Sequence, residues 1–313
     1  MMKNFTNTTR IWSLFALIFT ASMMLSASCD PQDAITTIKL NKSSVVLPNG
    51  TTYELFATVT ATDPANGIIT WKSSNTAIAT VDSEGKVTTK ASSGTTVITA
   101  TTADGKEAKC DVNVLTKSSF SIYNPTRNSN ALSTEEIASS FTYRMNSNWS
   151  KADGIVWTAS SNIVRLTTTK NSAGDFLTTV NIDDINNYGT ITLKAEYTYS
   201  DNTKVSSSIT LKILSLRFYC ISTDSWHFGG STPTLASNSY GYWDFNIAAY
   251  PNTTPTYAAT WTASGNEGIL SVHDSNKRAR LSLYGWGFAA VQISANNIAL
   301  SSGQTINMYF SVR

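Results

Sequence analysis

The chain has 313 residues, a formal net charge of +2 and only 14% charged side chains. That balance supplies neither an electrostatic footprint for DNA or RNA nor a polybasic surface for anionic lipid. Three cysteines and two histidines, without CxxC or Cys/His spacing, leave no zinc motif, and no cofactor or metal is expected.

Residues 1–28 read as a leader. Lys3 and Arg10 flank a polar start, Ile11 to Leu25 is an apolar run too short for a comfortable membrane span, and Ser26-Ala27-Ser28 are small. The small triplet ending at Cys29 resembles a bacterial lipoprotein signal. It departs from that pattern at one place, because Ser26 stands where an apolar residue is usual and Leu25 lies one position further away. The resemblance implies that the Cys29 thiol receives a diacylglycerol and becomes the mature N-terminus. Plain secretion with cleavage after Ser28 is the alternative. Residues 29–34 then form a lipidated tether, since Asp30-Pro31-Gln32-Asp33 suits a disordered link leaving an anchor. Several acyl chains on one terminus make attachment stable. The expected address is the bacterial cell envelope, on the outer membrane and at the cell surface.

An internal repeat organises the chain beyond the tether. Trp71-Lys72-Ser73-Ser74 returns as Trp157-Thr158-Ala159-Ser160 and as Trp261-Thr262-Ala263-Ser264. Each copy is followed by a Gly-led β-branched run and a final alternating strand. The spacing predicts units at 35–115, 118–214 and 215–313, each the size of an immunoglobulin-like sandwich. The expected fold is all-β, three tandem sandwiches, with Trp71, Trp157 and Trp261 as their core rings.

In the first unit Leu55, Ala57 and Val59 alternate with polar residues, as do Cys110, Val112 and Val114. Asn49-Gly50, Asp63-Pro64, Asn66-Gly67, Glu84-Gly85 and Asp104-Gly105 mark turns. The runs Val45-Val46-Leu47, Ile69 to Asn75, Ile78 to Asp82, Gly85-Lys86-Val87 and Gly94 to Ala100, in that order and spacing, resemble the bacterial Ig-like group 2 family over about 80 residues. The resemblance implies surface adhesion or scaffolding and no cofactor.

In the second unit Phe141, Tyr143 and Met145 alternate, and Gly189 to Leu193 and Ser208 to Ile213 read as strands. Ser133-Thr134-Glu135-Glu136 has capping-box spacing and predicts a short helical turn before the Phe141 strand. Asp183-Asp184 with Asn186-Asn187 lacks the alternating ligands and Gly of a calcium loop and reads as a solvated turn. Cys110 alternates with core positions and reads as a small buried hydrophobe; a disulfide to Cys220 is the alternative.

The third unit is rich in rings. From Ser215 onward lie 16 of the 33 aromatic residues, more than one sandwich core needs. Trp226 and His227 before Gly229-Gly230, Tyr240, Tyr242 and Trp243 around Gly241, and Tyr284 and Trp286 around Gly285 form the candidate binding surface, fit to stack on sugars or anchor a partner protein. His273-Asp274 is not read as a catalytic pair, because neighbours on a strand face opposite ways. No nucleophile elbow or phosphate loop is present, and the chain reads as a non-enzyme. The functional expectation is a lipid-anchored surface protein in adhesion or ligand binding, its proximal units a spacer. A glycan-binding lipoprotein of a polysaccharide-uptake system and a purely structural assembly subunit are the alternatives.

Overall fold

The computed structural model describes residues 36–62, 64–221, 224–227, 242–250, 252, 257–264, 268–283 and 291–312. The leader, Cys29 and the tether lie outside them. The described chain is strand and turn, with short 3-10 turns at Pro64–Gly67 and Lys117–Ser119. It adopts the all-β class that the alternating patterns predict. Among the described residues no helix is long and apolar enough to cross a membrane.

The chain divides into two compact units. The first holds residues up to 113 except 46–51 and 91–94, which fall with 114–313 in the second. The N-terminal part of the chain carries a sheet ordered Ser44–Pro48, Glu107–Leu115, Gly94–Thr102, Ile69–Ser73, most of whose residues belong to the first unit, another ordered Thr52–Glu54, Lys86–Thr89, Ala79–Val81, and the pair Thr36–Leu40 with Ala57–Ala61. Val45, Leu55, Ala79, Val87, Ile98, Ala100, Cys110 and Val112 fill its interior. Trp71 is half-buried and lies across Gly85. Gly85 has φ +88°, and a Cβ there would sit 2.4 Å from the Leu55 carbonyl oxygen and 2.8 Å from the Trp71 ring, so only glycine fits.

The second unit contains two hydrophobic clusters, one drawn from residues 115–213 and one from 214–308. Each is enclosed by its own pair of sheets, and we refer to these as the second and third sandwiches. In the second, the sheet Ser129–Asn130, Ile122–Asn124, Phe141–Met145, Phe176–Asn181, Arg165–Lys170 faces the sheet Thr134–Ile137, Lys204–Ile213, Gly189–Thr198, Val156–Ala159. In the third, Ser225–His227, Leu216–Cys220, Tyr242–Ala249, Arg278–Leu283, Gly268–His273 faces Thr260–Ser264, Val291–Ala299, Thr305–Val312.

The structure corrects two expectations. The capping-box segment is not helical: Thr134–Ile137 is a strand running parallel to Lys204–Ile213. Its side chains alternate, with Glu135 and Ile137 both fully buried, so a carboxylate occupies what a period-two pattern reserves for an apolar residue. The centre of the second sandwich is not Trp157, which is half-buried on the edge strand Val156–Ala159 and lines a groove of about 210 Å³ with Ile155, Thr168 and Phe176. It is Trp149, fully buried in the turn after Met145. Phe120, Tyr197 and Tyr199 meet its ring edge-on at 4.7, 5.1 and 5.7 Å, and its indole N–H donates to Ser119 Oγ at 3.1 Å.

The repeated tetrapeptide has a structural basis at its last residue. Ser74 donates its N–H to the Val97 carbonyl at 2.9 Å, and Val97 N–H returns to Ser74 Oγ at 2.9 Å. Ser160 does the same with Thr192, at 3.0 and 2.8 Å. The serine prolongs the ladder by one rung after the strand ends.

Candidate functional site

In the third sandwich, strand alternation sorts the predicted ring cluster. Tyr242 and Trp243 are neighbours on Tyr242–Ala249 and point to opposite faces. Trp243 is 6% exposed and belongs to the core with Phe245 and Leu281, so it is not a stacking platform. Tyr242 faces outward. The Arg280 guanidinium lies 3.9 Å from the centre of its ring, and the same guanidinium makes two bonds to the Asp244 carboxylate, at 2.6 and 2.8 Å. The registers Asp244↔Arg280 and Arg280↔Ser271 put these groups on one face. The Asp244 carboxylate raises the Arg280 pKa above its ordinary value. A ring, a planar cation and an anion are thus held in fixed order on a partly exposed surface, without the entropy cost of ordering them on contact.

Of the other predicted surface residues only the backbone of Trp226 and His227 is described. Trp226 and His227 belong to the strand Ser225–His227, opposite Tyr219 and Phe218, while their side chains are outside the described residues. Tyr240, Tyr284 and Trp286 also lie outside them. His273 Nε2 is 3.0 Å from Ser271 Oγ, and Asp274 is paired with Arg278 at 2.9 Å, so the adjacent His and Asp serve different partners. Asp183 holds Arg165 at 2.9 Å and Asp184 accepts from the Asn186 N–H at 2.8 Å, which makes that acidic stretch a hydrogen-bonded turn. Cys110 and Cys220 are both free and buried. Burial, and then the neighbouring Asp111, push the Cys110 thiol up to about 11.

A second constellation joins the second and third sandwiches, and nothing in the sequence pattern marks it. Glu135, fully buried, accepts from Tyr143 Oη at 2.6 Å, from Asn124 Nδ2 at 3.2 Å and from the Leu132 N–H at 3.2 Å, with Arg127 at 3.7 Å. Asn124 Nδ2 also donates to the Ser302 carbonyl at 2.9 Å, and Arg127 donates to the Ser301 carbonyl. Backbone N–H groups on the open edge of Thr134–Ile137 and just beyond it are taken up by the same turn: Glu136 by Ser301 Oγ at 2.8 Å, Ala138 by Gln304 Oε1 at 3.1 Å. Tyr257 Oη donates to Glu136 at 2.9 Å. Burial and the bond to Glu135 push the Tyr143 phenol pKa well above its usual value. Elsewhere in the same unit Arg217, 8% exposed, bonds Asn186 Oδ1 at 3.1 Å and stacks 3.9 Å from the Tyr250 ring. Burial lowers its pKa. Asp244 and Arg280 carry a signal that a sequence can show, as alternate positions on paired strands. Glu135 does not, since reading it requires knowing that the third sandwich covers it.

Residues 34–112 match the family of bacterial Ig-like domains, group 2, and this segment is such a domain. Lacto-N-biosidase of Bifidobacterium bifidum is 48% identical over 68 residues, which is 22% of this chain and 6% of that protein. The chain therefore spans only a small part of the curated relative it matches. Among solved structures, a marsupial T cell receptor overlays with a TM-score of 0.33 at 10% identity, covering 88% of this chain and 99% of that one. The Bacteroides ovatus SGBP-B of a mixed-linkage glucan utilization locus, in complex with a mixed-linkage heptasaccharide, overlays at 0.20 and 14% identity, covering 87% and 66%. At these scores the overlays carry no argument about this chain.

Proposed function

We propose, from the bacterial Ig-like domain at residues 34–112, that this protein is held at the cell surface by a lipid on Cys29 and acts there in adhesion or ligand binding. The first unit and the second sandwich are the spacer nearest the membrane, and the third sandwich presents the contact surface. The Tyr242–Arg280–Asp244 stack carries this reading. Tyr and Arg are the residue types that dominate binding energy at protein interfaces, and here both are oriented before any partner arrives. The partner is accordingly a surface protein.

The anchor is tested by the mass of the mature N-terminus and by protease treatment of whole cells. A diacylglyceryl-modified Cys29 and cleavage on intact cells are expected; an unmodified N-terminus or complete protection would sink the address. The surface is tested by Arg280→Ala and Tyr242→Ala. Each is expected to weaken binding to host or neighbouring cells by roughly 30-fold, the effect of about 2 kcal/mol at a hot spot, with the thermal transition unchanged. Unaltered binding in both would remove the stack from the site.

A second reading is a glycan-binding lipoprotein of a polysaccharide-uptake system. The rings from Ser215 onward other than the buried Phe218, Trp243, Phe245, Tyr257 and Trp261 favour it. Tryptophan fluorescence that shifts with an oligosaccharide, and is lost in Trp226→Ala or Trp286→Ala, would support that reading over the protein partner. A silent glycan array would end it.

A further inference from the structure

We infer that the polar joint between the second and third sandwiches is an orientation lock: the buried Glu135 carboxylate holds Asn124 and Arg127 so that they grip the turn Ser301–Gln304, and this fixes the angle between the two sandwiches. Directionality is the physical basis. Apolar surfaces slide past one another at little cost, whereas hydrogen bonds fail within a few tens of degrees.

The joint combines directed contacts with apolar ones, Ala138 against the third core and the Tyr188 and Tyr250 rings 5.6 Å apart, and the directed ones set its angle. Asn124 is fully buried; its Oδ1 accepts from the N–H groups of Thr126 and Arg127, at 3.1 and 3.2 Å, and its Nδ2 spans Glu135 on one side and the Ser302 carbonyl on the other. Gln304 uses both ends of its amide, accepting from the Ala138 N–H and donating to Ser139 Oγ. Gly303, at φ +81°, lets the Arg127 stem pass, since a Cβ there would lie 3.1 Å from Arg127 Cγ. A rotation of one sandwich against the other breaks these bonds together. Those made by Asn124, Ser302 and Gln304, all buried, would leave polar groups without a partner, so intermediate angles are penalised. A buried ionic cluster of this kind adds little net stability over an apolar replacement of the same shape. What it contributes is one permitted geometry.

The test separates geometry from stability and does not depend on the ligand or the anchor. Residual dipolar couplings are measured for strand amides of the second and third sandwiches in the intact chain, alongside thermal unfolding. In the wild type a single alignment tensor is expected to fit both sandwiches. In the combined variant Asn124→Leu, Arg127→Met, Glu135→Leu, Tyr143→Phe, the thermal midpoint is expected to hold or rise while the common tensor is lost. A wild type that needs two tensors overturns the lock, and so does a variant that keeps one. Should the combined variant not fold, Arg127→Met with Ser301→Ala leaves the Glu135–Asn124–Tyr143 core intact. It is expected to loosen the common tensor with little change in midpoint, and an unchanged tensor there refutes the proposal.

Discussion

Trp157 and Trp261 open the same tetrapeptide in consecutive sandwiches, yet the two do different work. Trp261 is 7% exposed, packs against Phe218 with ring centres 5.9 Å apart, and donates its indole N–H to the Asn276 carbonyl at 2.8 Å. That carbonyl lies in a hairpin turn in which Asp274, Ser275 and Asn276 all have positive φ, at 54°, 53° and 69°, a run that side chains with a Cβ disfavour. The indole pins a strained turn. Trp157 sits on the flank of its sandwich, and the central volume is taken by Trp149 from a turn. The repeat thus preserves a strand, with the serine rung seen at Ser74 and Ser160, while any ring that reaches the middle can fill it.

The largest expected effect breaks the comparison outright if it fails. Trp149→Ala should cost about 3–5 kcal/mol in chemical denaturation, the usual range for emptying a core ring, and clearly more than Trp157→Ala. Equal losses would restore Trp157 to the centre. Next, Gly85→Ala in the first unit should cost about 1–3 kcal/mol from backbone strain alone, more if the Trp71 ring is displaced; Gly85→Ala with Trp71→Ala then shows how much of the loss is the ring contact. Smaller still, Ser160→Ala and Ser74→Ala should each cost about 1 kcal/mol. Similar values at the two sites would confirm that the serine rung is the shared part of the repeat. The smallest effect is electrostatic. Lys194 and then Lys204 hold the Glu196 carboxylate down to about 2. A depressed carboxylate stabilises the fold above its ordinary range and stops doing so as pH falls through about 2. Because the group is on the surface, Glu196→Gln should lower the thermal midpoint only slightly at neutral pH, and high salt should erase the difference.

Much of the fold is legible in the sequence because its strands obey period-two alternation and its turns use Asn-Gly and Asp-Gly pairs. Gly85 and Gly94, which the turn and repeat patterns pick out as conformationally permissive, both have positive φ. Three features resist reading, each for a physical reason. Asn148-Trp149-Ser150 looks like loop, and the ring reaches the core only because the turn from Asn146 folds it back, Trp149 N–H to Asn146 carbonyl at 2.9 Å. Ser133 to Glu136 carries a helix-start signal that is overridden by pairing with Lys204–Ile213, a contact about 76 residues away in the chain. Tyr242-Trp243 reads as one cluster, although adjacency on a strand divides it between core and surface. The outward half survives as a candidate site only through Asp244 and Arg280, which single-residue reasoning does not select.

Leu214 is 4% exposed and Ser215 is fully buried, so the covalent crossing from one sandwich to the next runs through the interior with no slack. An engineer dividing the gene at that crossing would release two fragments with raw seams, one missing its plug and the other its socket. A truncation meant to behave should carry 114–313 whole.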